Sequence, residues 1–155
     1  MRGVTLIETL VYLALFTISI GSLVVAAYAF IESTGRNHTR AMIGEEVSFL
    51  TTRIEGILTE IDKAQPILYG ATLHATTFHH SMISIGLTGK NIWLNSPQNI
   101  LNNSNVTVQE LSFIHKGGTN ATDPERIEFM FTVEAHAPNG MILTDKAKST
   151  VYLQP

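Results

Sequence analysis

Between Val4 and Ile31 the chain carries one charged side chain, Glu8, in an otherwise apolar run. Thr9 to Ile31 are 23 consecutive uncharged positions. As a helix rising about 1.5 Å per residue they span about 35 Å, enough to cross a hydrocarbon core of about 30 Å. A secretory signal has a longer basic region, a shorter apolar stretch and a small-residue cleavage site behind it. This run is too long for that and continues directly into further helical pattern. Arg2, on its N-terminal side, favours a cytoplasmic N-terminus and places the rest of the chain outside the cytoplasmic membrane. An acidic group near the end of such a helix costs roughly 2.5–3.5 kcal/mol on insertion scales, so Glu8 asks for a partner.

The chain opens Met1-Arg2-Gly3 and continues Val4-Thr5-Leu6-Ile7-Glu8-Thr9-Leu10-Val11-Tyr12-Leu13-Ala14-Leu15-Phe16. This resembles the N-terminal signature of type IV prepilins and type II secretion pseudopilins. The resemblance implies that Met1 to Gly3 form a leader removed by a membrane-embedded prepilin peptidase. It also implies that Val4 becomes the N-methylated mature N-terminus, and that Glu8 is the glutamate of the fifth mature position. The new α-amino group of Val4 is then the natural partner for Glu8. Two residues depart from the common pattern: Val4 stands where Phe is commoner, and Val25 where many relatives carry Pro.

At 155 residues the chain is one domain's worth, and about 120 residues remain beyond the apolar run to build a modest core. The formal charge is −3, and removal of Arg2 with the leader makes the side-chain sum −3 − 1 = −4. With no basic patch, nucleic acid is not indicated as a partner.

Past the apolar run, Ile43, Val47, Leu50, Ile54, Ile57 and Ile61 recur at spacings of 4, 3, 4, 3 and 4, one face of a helix. Glu45, Glu46, Arg53, Glu55, Glu60 and Lys63 are expected on its opposite side, with Pro66 ending it. The organisation expected is therefore a leader over 1–3, a membrane or filament-core helix over 4–31, its amphipathic continuation over 32–65, and a head over 66–155. Gly21-Ser22 and Glu32-Ser33-Thr34-Gly35 are candidate weak stretches, since glycine costs up to about 1 kcal/mol inside a helix.

After Pro66 the pattern turns to period two. Ile83, Ile85 and Leu87 alternate, Thr88-Gly89-Lys90 turns the chain, and Ile92 and Leu94 flank Trp93, which predicts a hairpin. Ile127, Phe129, Phe131, Val133 and Ala135 alternate most regularly, with Glu128, Thr132 and Glu134 pointing the other way, and this strand is expected to line the helix. Val106 and Val108 are out of phase with Leu111 and Phe113, which places a bulge at Gln109-Glu110. A last strand runs from Ala147 to Leu153. Turns fall at Asn102-Asn103-Ser104, Gly117-Gly118-Thr119-Asn120 and Ala137-Pro138-Asn139-Gly140. One long helix packed on a small antiparallel sheet is an α+β fold, the architecture that the pilin resemblance also implies.

Other constellations carry little chemistry. His79 and His80 point to opposite faces of an expected strand, and no His, Asp or Glu spacing fits a closed metal site. Asp123-Pro124-Glu125 beside Asn120 resembles calcium-binding loops of some pseudopilins, but the spacing fits no EF-hand and reads as a solvated turn. No nucleophile motif is present, so no catalytic site, metal or cofactor is expected and the chain reads as an enzyme's substrate and not an enzyme. It has no cysteine, so the C-terminal disulfide of many major pilins cannot form.

The expected function is a structural subunit of a type IV pilus or pseudopilus, held in the cytoplasmic membrane as a single-pass precursor and then extracted to the cell surface or periplasm. The expected partners are prepilin peptidase, other pilin or pseudopilin subunits, the inner-membrane assembly platform, and lipid before assembly. Glu8 meeting Val4 of a neighbour would set the stagger of subunits, since an unpaired Glu8 is penalised in any other register. Major, minor, secretion and DNA-uptake subunits are not separated by these residues. The alternative is a signal-anchored single-pass protein with an extracytoplasmic binding domain.

Overall fold

The computed structural model describes residues 5–61, 67–69, 71–77, 79, 81–117 and 124–153. Helix α1 runs without a break over Leu6–Thr59, 54 residues or about 80 Å. It passes straight through both candidate weak stretches. Serines and threonines in its apolar part return their hydroxyls to the preceding turn: Thr17 to the Ala14 carbonyl, Ser19 to Leu15 and Ser22 to Ser19, each at 2.8 Å. These three hydroxyls therefore need no partner outside the helix.

Two antiparallel sheets follow. β1 (Ile67–Tyr69), β2 (Thr72–Thr76), β3 (Met82–Thr88), β4 (Asn91–Leu94) and β5 (Ser96–Ile100) form a five-stranded meander. β6 (Thr107–Lys116), β7 (Arg126–His136) and β8 (Ile142–Tyr152) form a three-stranded one. The α+β class stands, with two sheets where one was expected. Helix α1 lies on the three-stranded sheet, against β8 first and β7 second, while the five-stranded sheet meets β6. The strand expected to line the helix thus shares that place with β8, which begins at Ile142 and is longer than its period-two pattern from Ala147 indicated.

The inward stripe of the helix is Thr39, Ile43, Leu50, Ile54 and Leu58, continued by Ile61 just past its end. Leu58 takes the place expected for Ile57, which is half-buried, as is Val47. The helix closes at Thr59 and not at Gln65 because buried Ile61 bridges to Thr77 of the head; residues 62–66, with Lys63 and Pro66, lie outside the described residues. Two acidic residues expected on the solvent side turn inward. Glu46 accepts a hydrogen bond from the Asn103 amide at 2.7 Å, and Glu55 accepts one from the Ser149 hydroxyl.

Against the helix, β7 presents Ile127, Phe129, Phe131, Val133 and Ala135, all buried, with the Phe129 and Phe131 rings parallel at 6.2 Å. The bulge falls where the phase change placed it: Val108 pairs with Val133 and Glu110 with Thr132, leaving Gln109 over. It brings Val106, Val108, Leu111 and Phe113 all into the core. The β3–β4 hairpin turns at Gly89, whose φ of +63° suits the first position of a two-residue turn. Asn102, buried between the sheets, accepts from the Ile92 amide at 2.8 Å and donates to the Val106 carbonyl at 3.3 Å. Of the turn expected over Gly117-Gly118-Thr119-Asn120, Gly117 has a φ of +101° and the other three lie outside the described residues.

Candidate functional site

Thr5 takes the N-cap position of α1 in extended backbone, φ −75° and ψ 149°, without a side-chain capping bond. Its carbonyl receives the Glu8 amide at 3.0 Å and the Thr9 amide at 3.3 Å. Glu8 lies in the first turn, where a carboxylate complements the positive end of the helix dipole. Its side chain is exposed, and the Tyr12 hydroxyl one turn on donates to Oε1 at 3.5 Å. Gly3 and Val4 lie outside the described residues. The geometry thus fixes the position of Glu8 on the helix and leaves its carboxylate open to a second partner.

From Leu6 to Ile31 no side chain is covered by the head. Leu6 is 79% exposed and Phe30 74%, and every large apolar residue between them is at least 44% exposed. An apolar surface of this extent on one element demands lipid or protein around it.

The uncovered part ends where the β7–β8 loop reaches the helix. Asn139 donates to Glu32 Oε1 at 3.1 Å, and Pro138 lies over Gly35. Beneath the loop is a cleft of about 620 Å³, walled by Val25, Tyr28 and Ala29 and rimmed by Glu32 and Arg36. Sequence reasoning located this turn but not its contact, because nothing in the local pattern links Asn139 to Glu32.

Among the described residues of the head, one dense charge cluster stands out. On the outer face of the three-stranded sheet, Glu128 takes Lys116 Nζ at 3.0 and 2.9 Å on its two oxygens, with Lys148 Nζ at 3.6 Å and Arg126 Nε at 3.7 Å. The hydrogen bond from Lys116 holds the Glu128 carboxyl below its ordinary value; burial opposes this, and the charges of Lys116, Lys148 and Arg126 reinforce it. Lys116 and Lys148 reach Glu128 diagonally from β6 and β8, and Arg126 from two residues away on the same strand, a sheet-stabilising arrangement.

The histidines are dispersed. His74 Nδ1 lies 2.7 Å from Ser84 Oγ, its cross-strand partner, and His115 Nε2 is 3.8 Å from Glu125 Oε2. His79 sits in the turn between Thr77 and Ser81 and not in a strand; His80 lies outside the described residues. Of the calcium-loop candidates, Asn120 and Asp123 also lie outside them. Among the described residues no three His, Cys, Asp or Glu side chains gather as a metal site would require.

No family model, curated protein or solved structure matches this chain.

Proposed function

We propose that the chain is a structural subunit of a type IV pilus or pseudopilus, cleaved by prepilin peptidase after Gly3, N-methylated at Val4 and assembled through its N-terminal helix. The observation that carries this reading is a conjunction. The Gly3-Val4-Thr5-Leu6-Ile7-Glu8 sequence leads into a helix whose apolar half projects bare from a head that covers only its second half.

In the membrane, lipid covers Leu6 to Ile31 and the self-bonded hydroxyls of that segment cost nothing further. In a filament the same surfaces pack against the helices of neighbouring subunits, and the ammonium of Val4 meets the carboxylate of Glu8 on an adjacent copy. At about 4 Å and an effective dielectric near 20 that attraction is about 4 kcal/mol before desolvation is subtracted. Its main effect is on register, since any other stagger leaves Glu8 unpaired among apolar side chains. Major, minor, pilus and secretion roles fit this mechanism equally.

The bond from Tyr12 to Glu8 favours one other reading. A carboxylate with a partner on its own helix can sit at the interface of a signal anchor, with the head as an extracytoplasmic binding domain. The mass of the N-terminal peptide from the native host separates the two. A peptide beginning at N-methylated Val4 supports the filament subunit; a peptide beginning at Met1, from protein still in the membrane, supports the anchor.

A further inference from the structure

From the junction between helix and head we infer that the β7–β8 loop is a second membrane contact, seating the head on the outer leaflet of a phospholipid bilayer with Arg36 facing the phosphate layer. The inference rests on the membrane-spanning part of the proposed function and goes beyond it, because a spanning helix does not by itself place any part of the head on lipid.

The loop's height is set by one bond. Glu32 is the residue at which the uncharged run Thr9 to Ile31 ends, and the Asn139 amide is 3.1 Å from its carboxylate. When that run crosses a core of about 30 Å, Glu32 lies in the headgroup layer, and Asn139 lies there with it. The other hydrogen bonds that tie helix to head, at Glu46 and Glu55, are three and more turns further from the membrane by the helical rise of about 1.5 Å per residue.

The loop's composition suits that depth. Met141 and Ile142, at the start of β8, are 40% and 52% exposed beside it. Tyr28, 72% exposed and one turn below Glu32, is the amphipathic aromatic expected at an interface. Between Tyr28 and the Pro138-Asn139 turn, the cleft of about 620 Å³ has apolar walls from Val25 and Ala29 that continue the lipid-facing surface of the helix beneath Pro138. Arg36 stands at its rim on the water side, where a guanidinium meets lipid phosphate. An acyl chain with its phosphate fits both features; a soluble anion would leave the apolar walls wet.

The chain has no cysteine, so single spin labels can be placed without side reactions. The full chain carrying Ile142→Cys, Leu15→Cys or Ile114→Cys is labelled and reconstituted in phosphatidylethanolamine–phosphatidylglycerol vesicles. Collision with oxygen and with a water-soluble nickel chelate is then measured. Ile114 is an exposed apolar residue near the opposite end of the three-stranded sheet and reports water. The inference expects an oxygen-to-nickel ratio several-fold higher at 142 than at 114. Equal ratios at 142 and 114, with Leu15 in lipid, overturn the inference and leave the spanning helix intact. Leu15 in water overturns the spanning helix and the inference together. Spin–spin broadening at 142 that persists on dilution with lipid overturns it in favour of a second copy covering the loop.

Discussion

Pro138 packs over Gly35 so closely that a Cβ built at position 35 would stand 3.2 Å from its Cγ. Alanine there gains up to about 1 kcal/mol of helix propensity and asks the proline ring to yield by a few tenths of an ångström. Gly35→Ala is therefore expected to leave the unfolding free energy within about 1 kcal/mol of the parent. Gly35→Leu cannot be accommodated without lifting the loop and should cost about 1–3 kcal/mol. Denaturant unfolding of the detergent-solubilised chain measures both, and equal effects would refute the close contact.

Phe129 is 1% exposed and touches two other rings, lying 6.5 Å from Phe113 and 6.2 Å from Phe131 between centroids. Phe129→Ala should cost about 3–5 kcal/mol in the same assay. Phe49, on the outer side of the helix and 52% exposed, is the control, and Phe49→Ala should stay within about 0.5 kcal/mol.

Glu128 makes head stability fall in acid. Its carboxyl titrates in the folded chain below the ordinary value near 4.5, so the stabilisation is fully present above that value and is lost as pH falls through the lowered one. Unfolding midpoints of the parent and of Glu128→Gln should differ at neutral pH and converge in acid. A constant gap down to the lowest pH at which the chain stays folded would mean that the carboxylate's charge is not what the cluster uses.

Glu8→Val should leave processing and membrane insertion intact and lower filament yield about tenfold or more, what a loss of about 1.4 kcal/mol per contact produces. Tyr12→Phe removes the partner on the same helix and should assemble normally. Filaments counted by electron microscopy decide it: normal assembly of Glu8→Val removes the charge pair from the mechanism.

Gly3→Ala should still be processed, whereas Gly3→Asp should accumulate as precursor, read as the ratio of the two forms on a gel. Unaltered cleavage of Gly3→Asp would count against prepilin peptidase.

Patterns that act along the chain were legible in its residues. The helix, the Phe129 strand, the hairpin at Gly89 and the bulge at Gln109 each follow from a local period or its interruption. β5 was not visible, because Ser96-Pro97-Gln98-Asn99-Ile100 reads as a loop; only its place at a sheet edge makes its proline tolerable. β2 escapes notice although Leu73 and Ala75 alternate with Thr72, His74 and Thr76, because two apolar residues make a short signal. Glu46 and Glu55 looked solvent-facing because their partners lie 57 and 94 residues away. Of the candidate site, Glu8 lies in the first turn of the helix, while the junction at Glu32 and Asn139 depends on a loop that no helical period could announce.

Because α1 is unbroken from Leu6 to Thr59, its two halves cannot turn independently. The helix acts as a lever arm: an inclination of about 20°, ordinary for a spanning helix, would swing the far end of an 80 Å rod sideways by about 27 Å. If the apolar half spans a membrane as proposed, the direction in which the head points is decided by how that half leans, and a hinge inserted at Gly21 would uncouple them.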